Sequence, residues 1–134
     1  MKHEQNDLRG VWDTRHAINV VQNDGHINDF AVEVAAHISK GDKVLEIGCG
    51  IGNDALLFHK KSADVIATDL SPTLIKYNRE HLTTNGMRFK VVDVSKALPF
   101  TAAQFNLIYA FASLHYFTDA ITRSIFSEIH RVLV

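Results

Sequence analysis

Three glycines at alternate positions, Gly48, Gly50 and Gly52, close the phrase VLEIGCGIG. Glycine reaches positive φ without steric cost, so this loop can bend tightly and let a ligand lie directly against its backbone. Glu46 stands two residues ahead of the first glycine, and Cys49 sits inside the loop. Two aspartates, Asp69 in ATDLSP and Asp93 in VVDVSKALPF, stand where an apolar run gives way to turn residues. A dinucleotide fingerprint would need glycine at position 53, where this chain has Asn53, so the match to a nicotinamide or flavin fold is imperfect. His115 is the candidate general base, because an unperturbed imidazole can take a proton near neutral pH. The eight histidines show no ligand spacing, and Cys49 has no second thiol, so no metal site is expected. No serine lies in a nucleophile-elbow phrase.

Elements of a definite kind must carry these residues. Ile27, Phe30, Ala31, Val34, Ala35 and Ile38 recur at helical spacing, with Asn28 or Asp29 as cap and Gly41 as stop. Apolar runs predict strands over 43–47, 64–69, 87–93 and 105–110. Between them fall helices over 53–61 and from Pro72, the latter capped by Ser71 and carrying Leu74, Ile75 and Leu82. Turns are expected at Asn23 to Gly25 and at Asn85 and Gly86. A final helix over 119–133 is predicted to turn Ile121, Ile125, Phe126, Ile129 and Leu133 inward. Strands alternating with helices build a parallel sheet covered on both faces, an α/β, Rossmann-like architecture. Such sheets bind ligands beyond the carboxyl ends of their strands, which puts Glu46, the glycine loop, Asp69 and Asp93 on one rim.

With the motifs in this order, Glu46 to Gly52, ExGxGxG in form, resembles the first motif of class I S-adenosylmethionine-dependent methyltransferases. ATDLSP, VVDVSKALPF and FNLIYAFASLHYF resemble the family's next three segments, and the likeness runs from about residue 10 to 133. It is closest to small-molecule methyltransferases of the tellurite-resistance and thiopurine type. The resemblance implies S-adenosyl-L-methionine as cofactor and a small-molecule methyl acceptor. It further implies that Asp69 holds the ribose hydroxyls and that Asp93 receives the adenine amino group. Glu46 would organise the loop or receive the methionine amino group. Gly48, Cys49, Gly50, Gly52, Leu70, Val94 and Ala110 would line the cofactor, and Trp12, Arg15 and His16 in VWDTRH would form a lid. A carboxylate that accepts both ribose hydroxyls gains about 1.5–3 kcal/mol from each charge-assisted bond. Plainer roles stand beside these. Glu46 could only brace the loop, Asp69 cap the helix near Ser71, and Asp93 make a turn with Ser95. His115 could simply pack between Leu114 and Tyr116, and the lid segment could do no more than pack. Methyl transfer from a sulfonium depends chiefly on alignment, so no catalytic side chain is obligatory. A cofactor-binding protein without turnover and an NAD(P)-dependent oxidoreductase are the alternatives.

Composition narrows the field. The chain of 134 residues suits a single domain, read as an amino-terminal cap over 1–25 and a cofactor-binding domain over 26–134. Lys and Arg number 14 against 15 acids, and no basic stripe is present, so nucleic acid is disfavoured as a partner. The hydrophobic share of 46% is enough for a packed core. No apolar run is long enough for a membrane span, the start MKHEQND lacks a signal-peptide pattern, and a cytoplasmic protein is expected. Family members usually carry seven strands, whereas this sequence predicts four and stops at HRVLV. The domain is therefore expected to be incomplete at its carboxyl end, with the fourth strand an open edge through which copies self-associate.

Overall fold

Runs of four to six residues rich in Val, Ile and Leu form the strands. The computed structural model describes residues 9–15, 24–82 and 86–134, and the expectations at His16, Asn23 and Asn85 lie outside them. Along the chain follow α1 (9–15), α2 (Asp29–Ala35), β1 (Lys43–Ile47), α3 (Asn53–Lys60) and β2 (Asp64–Asp69). Then come α4 (Pro72–His81), β3 (Arg88–Val91), β4 (Leu107–Ala110) and α5 (Asp119–Val132). All strand pairs are parallel, in the order β3-β2-β1-β4. Winding thus proceeds outward from β1 through β2 to β3 and reverses to place β4 on the other side of β1. That reversal opens a crevice beyond the carboxyl ends of β1 and β4.

Both faces of the sheet are covered, which is why β1 and β2 are buried at successive residues rather than at alternate ones. One face packs Val44, Val65, Ala67 and Tyr109 against Ala31 and Ala35 of α2, Phe58 of α3 and Ile75 of α4. The other packs Leu45, Ile47 and Ile66 against Leu98, Phe105 and Val132 of α5. Each fully buried side chain of this size contributes about 1.5–3 kcal/mol.

Local chemistry moves several boundaries. Ser71 caps α4 as expected, its Oγ accepting from the Leu74 N–H at 3.2 Å. Asn28 makes no side-chain cap on α2; its own N–H donates to Asp54 Oδ1 at 3.0 Å. The helix ends at Ala35, short of Ile38. β3 stops at Val91 rather than Asp93, because the Asp93 carboxylate accepts from the Ser95 N–H and hydroxyl and turns the chain out of the ladder. β4 begins at Leu107: Asn106 gives its side-chain oxygen to the Lys43 N–H, and Phe105 forms an isolated parallel bridge with Leu133. In α5 Ile125 and Val132 are buried and Ile129 packs on the core as expected, while Phe126 is 57% and Leu133 38% exposed, against expectation. Phe126 follows the buried Ile125 by one helical step of about 100°, which carries it off the inward stripe. Leu133 has left the helix in an extended conformation to meet Phe105.

Candidate functional site

The glycine loop is shaped by what approaches it. A side chain at Gly48 would put its first carbon 2.4 Å from Ser113 Cβ, and Ser113 Oγ donates to the Ile47 carbonyl at 3.0 Å. The β4–α5 loop therefore rests directly on the end of β1. Gly50 is the opposite case: its φ is +54° and nothing lies within 4 Å of where a side chain would begin. Its backbone faces open space.

Asp69, at the end of β2, ties this loop to α4. Its Oδ2 accepts from the Gly50 N–H at 3.0 Å and its Oδ1 from the Ser71 N–H at 3.0 Å. Ser71 in turn donates its hydroxyl to Asp13 of α1. Arg9 Nε of the same helix reaches the Leu70 carbonyl at 3.4 Å, and Trp12 meets Tyr116 edge-on with ring centres 5.1 Å apart. α1 thus touches both banks of the crevice, the β2–α4 loop and the β4–α5 loop.

Beneath the loop lies a buried acidic group. Glu46 is 3% exposed, and no donor among the described residues reaches its Oε2. Burial, then the charges of Asp54 and Asp69, hold its pKa well above the usual carboxylate range, and the Ala55 N–H only partly offsets them. Tyr109, beside Glu46 in the β1–β4 register, donates its hydroxyl to Asp54 Oδ2 at 2.9 Å. Burial and that bond push the phenol above its ordinary value. Burial, with Glu46 and Asp69, pushes the Cys49 thiol up as well, which keeps it un-ionised and unsuited to nucleophilic work.

Glycine loop, acids and aromatic rings surround a solvent-open cleft. Its lining comes from the ends of three strands and the loops that follow them, with Gly48 and Gly50 after β1, Asp69 and Leu70 at β2, and Asp93 and Val94 after β3, joined by Ser113, Tyr116 and Phe117 of the β4–α5 loop, by Thr68 and by Trp12 of α1. Among the described residues no group of three His, Cys, Asp or Glu side chains could hold a metal ion. No described helix is long and apolar enough to cross a membrane.

Comparison with known proteins assigns this arrangement. A family model described as a methyltransferase domain matches residues 44–134, a span that holds the glycine loop and both rim acids. The chain belongs to the methyltransferase-domain family. A methyltransferase of Synechocystis is 33% identical over 96 residues, covering 72% of this chain and 44% of that protein. The ubiquinone/menaquinone biosynthesis C-methyltransferase of Neisseria meningitidis is 35% identical over 105 residues, 73% of this chain and 41% of that one. The chain thus spans less than half the length of these relatives. Among solved structures, a TehB-like SAM-dependent methyltransferase from Corynebacterium glutamicum has a TM-score of 0.72 at 25% identity, covering 96% of this chain and 68% of that one. An S-adenosylmethionine-dependent methyltransferase from Mesorhizobium loti has a TM-score of 0.67 at 26% identity, covering 77% and 47%.

Of the residues expected to serve the methyltransferase domain, Trp12, Gly48, Gly50, Asp69, Leu70, Asp93 and Val94 meet in the cleft. Glu46, Cys49, Gly52, Ala110 and Arg15 do not line it. Glu46 and Cys49 are buried behind the loop, Ala110 packs into the α5 side of the core, and Arg15 lies over the Trp12 ring, 5.6 Å from its centre. His115 is outside as well: it is exposed and packs on Tyr116, ring centres 3.9 Å apart, because the tight β4–α5 loop turns it to solvent. The cleft also holds Thr68, Ser113, Tyr116 and Phe117, which the sequence reading did not single out. Ser113 and Phe117 lie in FASLHYF, whose small residue at the point of contact with Gly48 was the available signal. Asp93 keeps its turn role, with Oδ1 engaged by Ser95 and Oδ2 3.9 Å from Lys96 Nζ, and still borders the cleft.

Proposed function

We propose that this methyltransferase domain binds S-adenosyl-L-methionine in the cleft and transfers its methyl group to a small-molecule acceptor. The observation that carries the reading is an open glycine loop flanked by two rim carboxylates, Asp69 and Asp93, with a third, Glu46, buried and half-unpartnered behind it. The residues fit the cofactor: Gly50 leaves the room a side chain would fill, and Glu46, just before the Ile47 and Gly48 that line the cleft, keeps behind them an acceptor oxygen without a donor, whose charge would favour a cationic amino group nearby. When bound, the cofactor supplies a methyl group on a sulfonium whose departure leaves a neutral thioether. Asp69 retains acceptor capacity beyond the Gly50 and Ser71 N–H groups, since two carboxylate oxygens offer about four lone-pair sites, and these suit paired hydroxyls. Trp12, Tyr116 and Phe117 add aromatic surface to the lining, which favours an apolar acceptor. Alignment of acceptor, methyl and sulfur does most of the catalysis, and the reading assigns no side chain as base.

The cap over residues 1–25 belongs to the same proposal, supported by the contacts of α1 with Leu70, Ser71 and Tyr116. So do a cytoplasmic setting, which the single free Cys49 suits, and the absence of a nucleic-acid partner, which a formal charge of −1 suits. Self-association of this chain is part of it too, because among the described residues Leu107–Ala110 pairs with β1 on one side only. Calorimetric titration tests the core of the reading. S-adenosylhomocysteine is expected to bind and NAD not to; a methyl-transfer assay over thiols, amines and halide or chalcogen anions then identifies the acceptor. Binding of NAD in preference to S-adenosylhomocysteine overturns it. Light scattering on a size-exclusion column tests the self-association, and a monomer at micromolar concentration removes it.

A further inference from the structure

We propose that Asn78 is a positioning residue for the cofactor, acting from α4 through the carbonyl of Gly50. The inference rests on the cofactor reading above. Asn78 is completely buried, on a helix whose other buried residues are Leu74 and Ile75. An amide in such a place is costly unless both its ends are hydrogen-bonded, and here only one is. Nδ2 donates to the Gly50 carbonyl at 2.7 Å and approaches Cys49 Sγ at 3.9 Å, while no donor among the described residues reaches Oδ1. Packing alone does not account for this residue, since an apolar side chain would fill the site with no orphaned oxygen.

What the amide does is complete a clamp. The Gly50 N–H is held by Asp69 of β2 and the Gly50 carbonyl by Asn78 of α4, so both sides of one glycine are fixed to different elements. This is also the glycine whose side-chain direction is open. Glycine has more accessible backbone states than any other residue, and a peptide free to rotate here could aim its carbonyl at the cleft, where Asp69 and Asp93 already gather negative charge. The clamp selects the state with the carbonyl turned toward α4. Two residues on, α4 and β3 also crowd Gly52, where a side chain would meet Leu82 Cδ1 at 2.8 Å, so the loop is seated on α4 by a polar and an apolar contact. A ligand that binds one loop state loses affinity in proportion to the fraction of molecules outside it.

The test compares wild type with Asn78→Leu, which removes both amide ends at similar volume, and Asn78→Ala, which removes them without crowding. Three readouts are taken: melting temperature, S-adenosylhomocysteine affinity by calorimetry, and hydrogen exchange over residues 48–52 in the free protein. The expected result is a folded variant that binds about tenfold more weakly and exchanges faster across the loop, with β1 and β2 still protected. Unchanged affinity or unchanged loop exchange in either folded variant overturns the proposal. Loss of the fold in both assigns Asn78 to the core and overturns it too. If wild type itself does not bind S-adenosylhomocysteine, the cofactor reading falls, and loop exchange still decides whether Asn78 clamps Gly50.

Discussion

The two faces of the sheet bury similar apolar side chains but treat their polar groups in opposite ways. On the face covered by α2, α3 and α4, Glu46 and Asn78 are buried with one oxygen each unpartnered, at the end of the sheet where the loop opens. On the face covered by α5, the polar groups close on one another. Arg131 donates to both oxygens of Glu128 and to the carbonyls of Leu98 and Phe100, and Glu128 accepts from the Leu98 N–H. Unsatisfied buried polar atoms are destabilising, and those among the described residues, Glu46 Oε2, Asn78 Oδ1 and His59 Nδ1 of α3, all belong to β1 or to helices of this first face, two of them beside the glycine loop where the cofactor is proposed to bind. The second face staples the LPF segment to α5 and supports the first.

This contrast can be broken from either side. Gly50→Val should have the largest effect: a branched side chain would fill the open space of the cleft and resist a φ of +54°, so S-adenosylhomocysteine binding is lost while circular dichroism still reports a folded chain. Retained affinity would reduce the loop to a turn. Asp69→Ala removes the carboxylate that holds Gly50 and Ser71, and calorimetry should register an affinity about a hundredfold lower, roughly 3 kcal/mol.

Smaller and of known sign is the effect of pH. Because Glu46 titrates above the ordinary range, its contribution to folding is fully present below about pH 4.3, the unfolded value, and is lost as pH rises through the folded one. Around it stand Asp54 from α3 and Asp69 from β2, whose charges oppose its ionisation, and Tyr109 from β4, whose hydroxyl is engaged by Asp54. The positive charge of an ammonium group held in the cleft beside Ile47 and Gly48, in front of Glu46, favours the ionised carboxylate, so ligand binding should release a proton and tighten with rising pH, by at most about tenfold per pH unit. Calorimetry in buffers of differing ionisation enthalpy measures this, and proton uptake or a flat profile contradicts it. Least should follow from Arg131→Met, which lowers the melting temperature and leaves S-adenosylhomocysteine affinity alone; a loss of affinity would erase the distinction between the faces. The Arg131 guanidinium holds Glu128 down to about 2, so the staple is intact above the ordinary carboxylate range and weakens only as pH falls toward that value.

Much of the site is readable from the residues because it is local. The glycines at 48 and 50, Asp69 with Leu70, and Asp93 with Val94 each lie at the carboxyl end of a strand or within three residues of it, and a strand that ends puts its next residues on the rim whatever the rest of the chain does. His115 and Arg15 went the other way: the first stands next to Tyr116 and the second three residues from Trp12, yet neither side chain lines the cleft, because loop curvature and helix phase decide which side chain faces in.

Sequence by itself determined the strand–helix alternation, the parallel sheet and the family, since apolar periodicity, capping and glycine placement act within a few residues. Tertiary structure alone decided what surrounds Glu46, Asn78 and Asp54. Their significance lies in burial and in partners 8 to 55 residues away, such as Asp54 for Glu46, Gly50 for Asn78 and Tyr109 for Asp54. A polar residue on a helix reads as solvent-facing until packing removes the water, and only then do an unpaired oxygen and a raised pKa acquire their physical meaning.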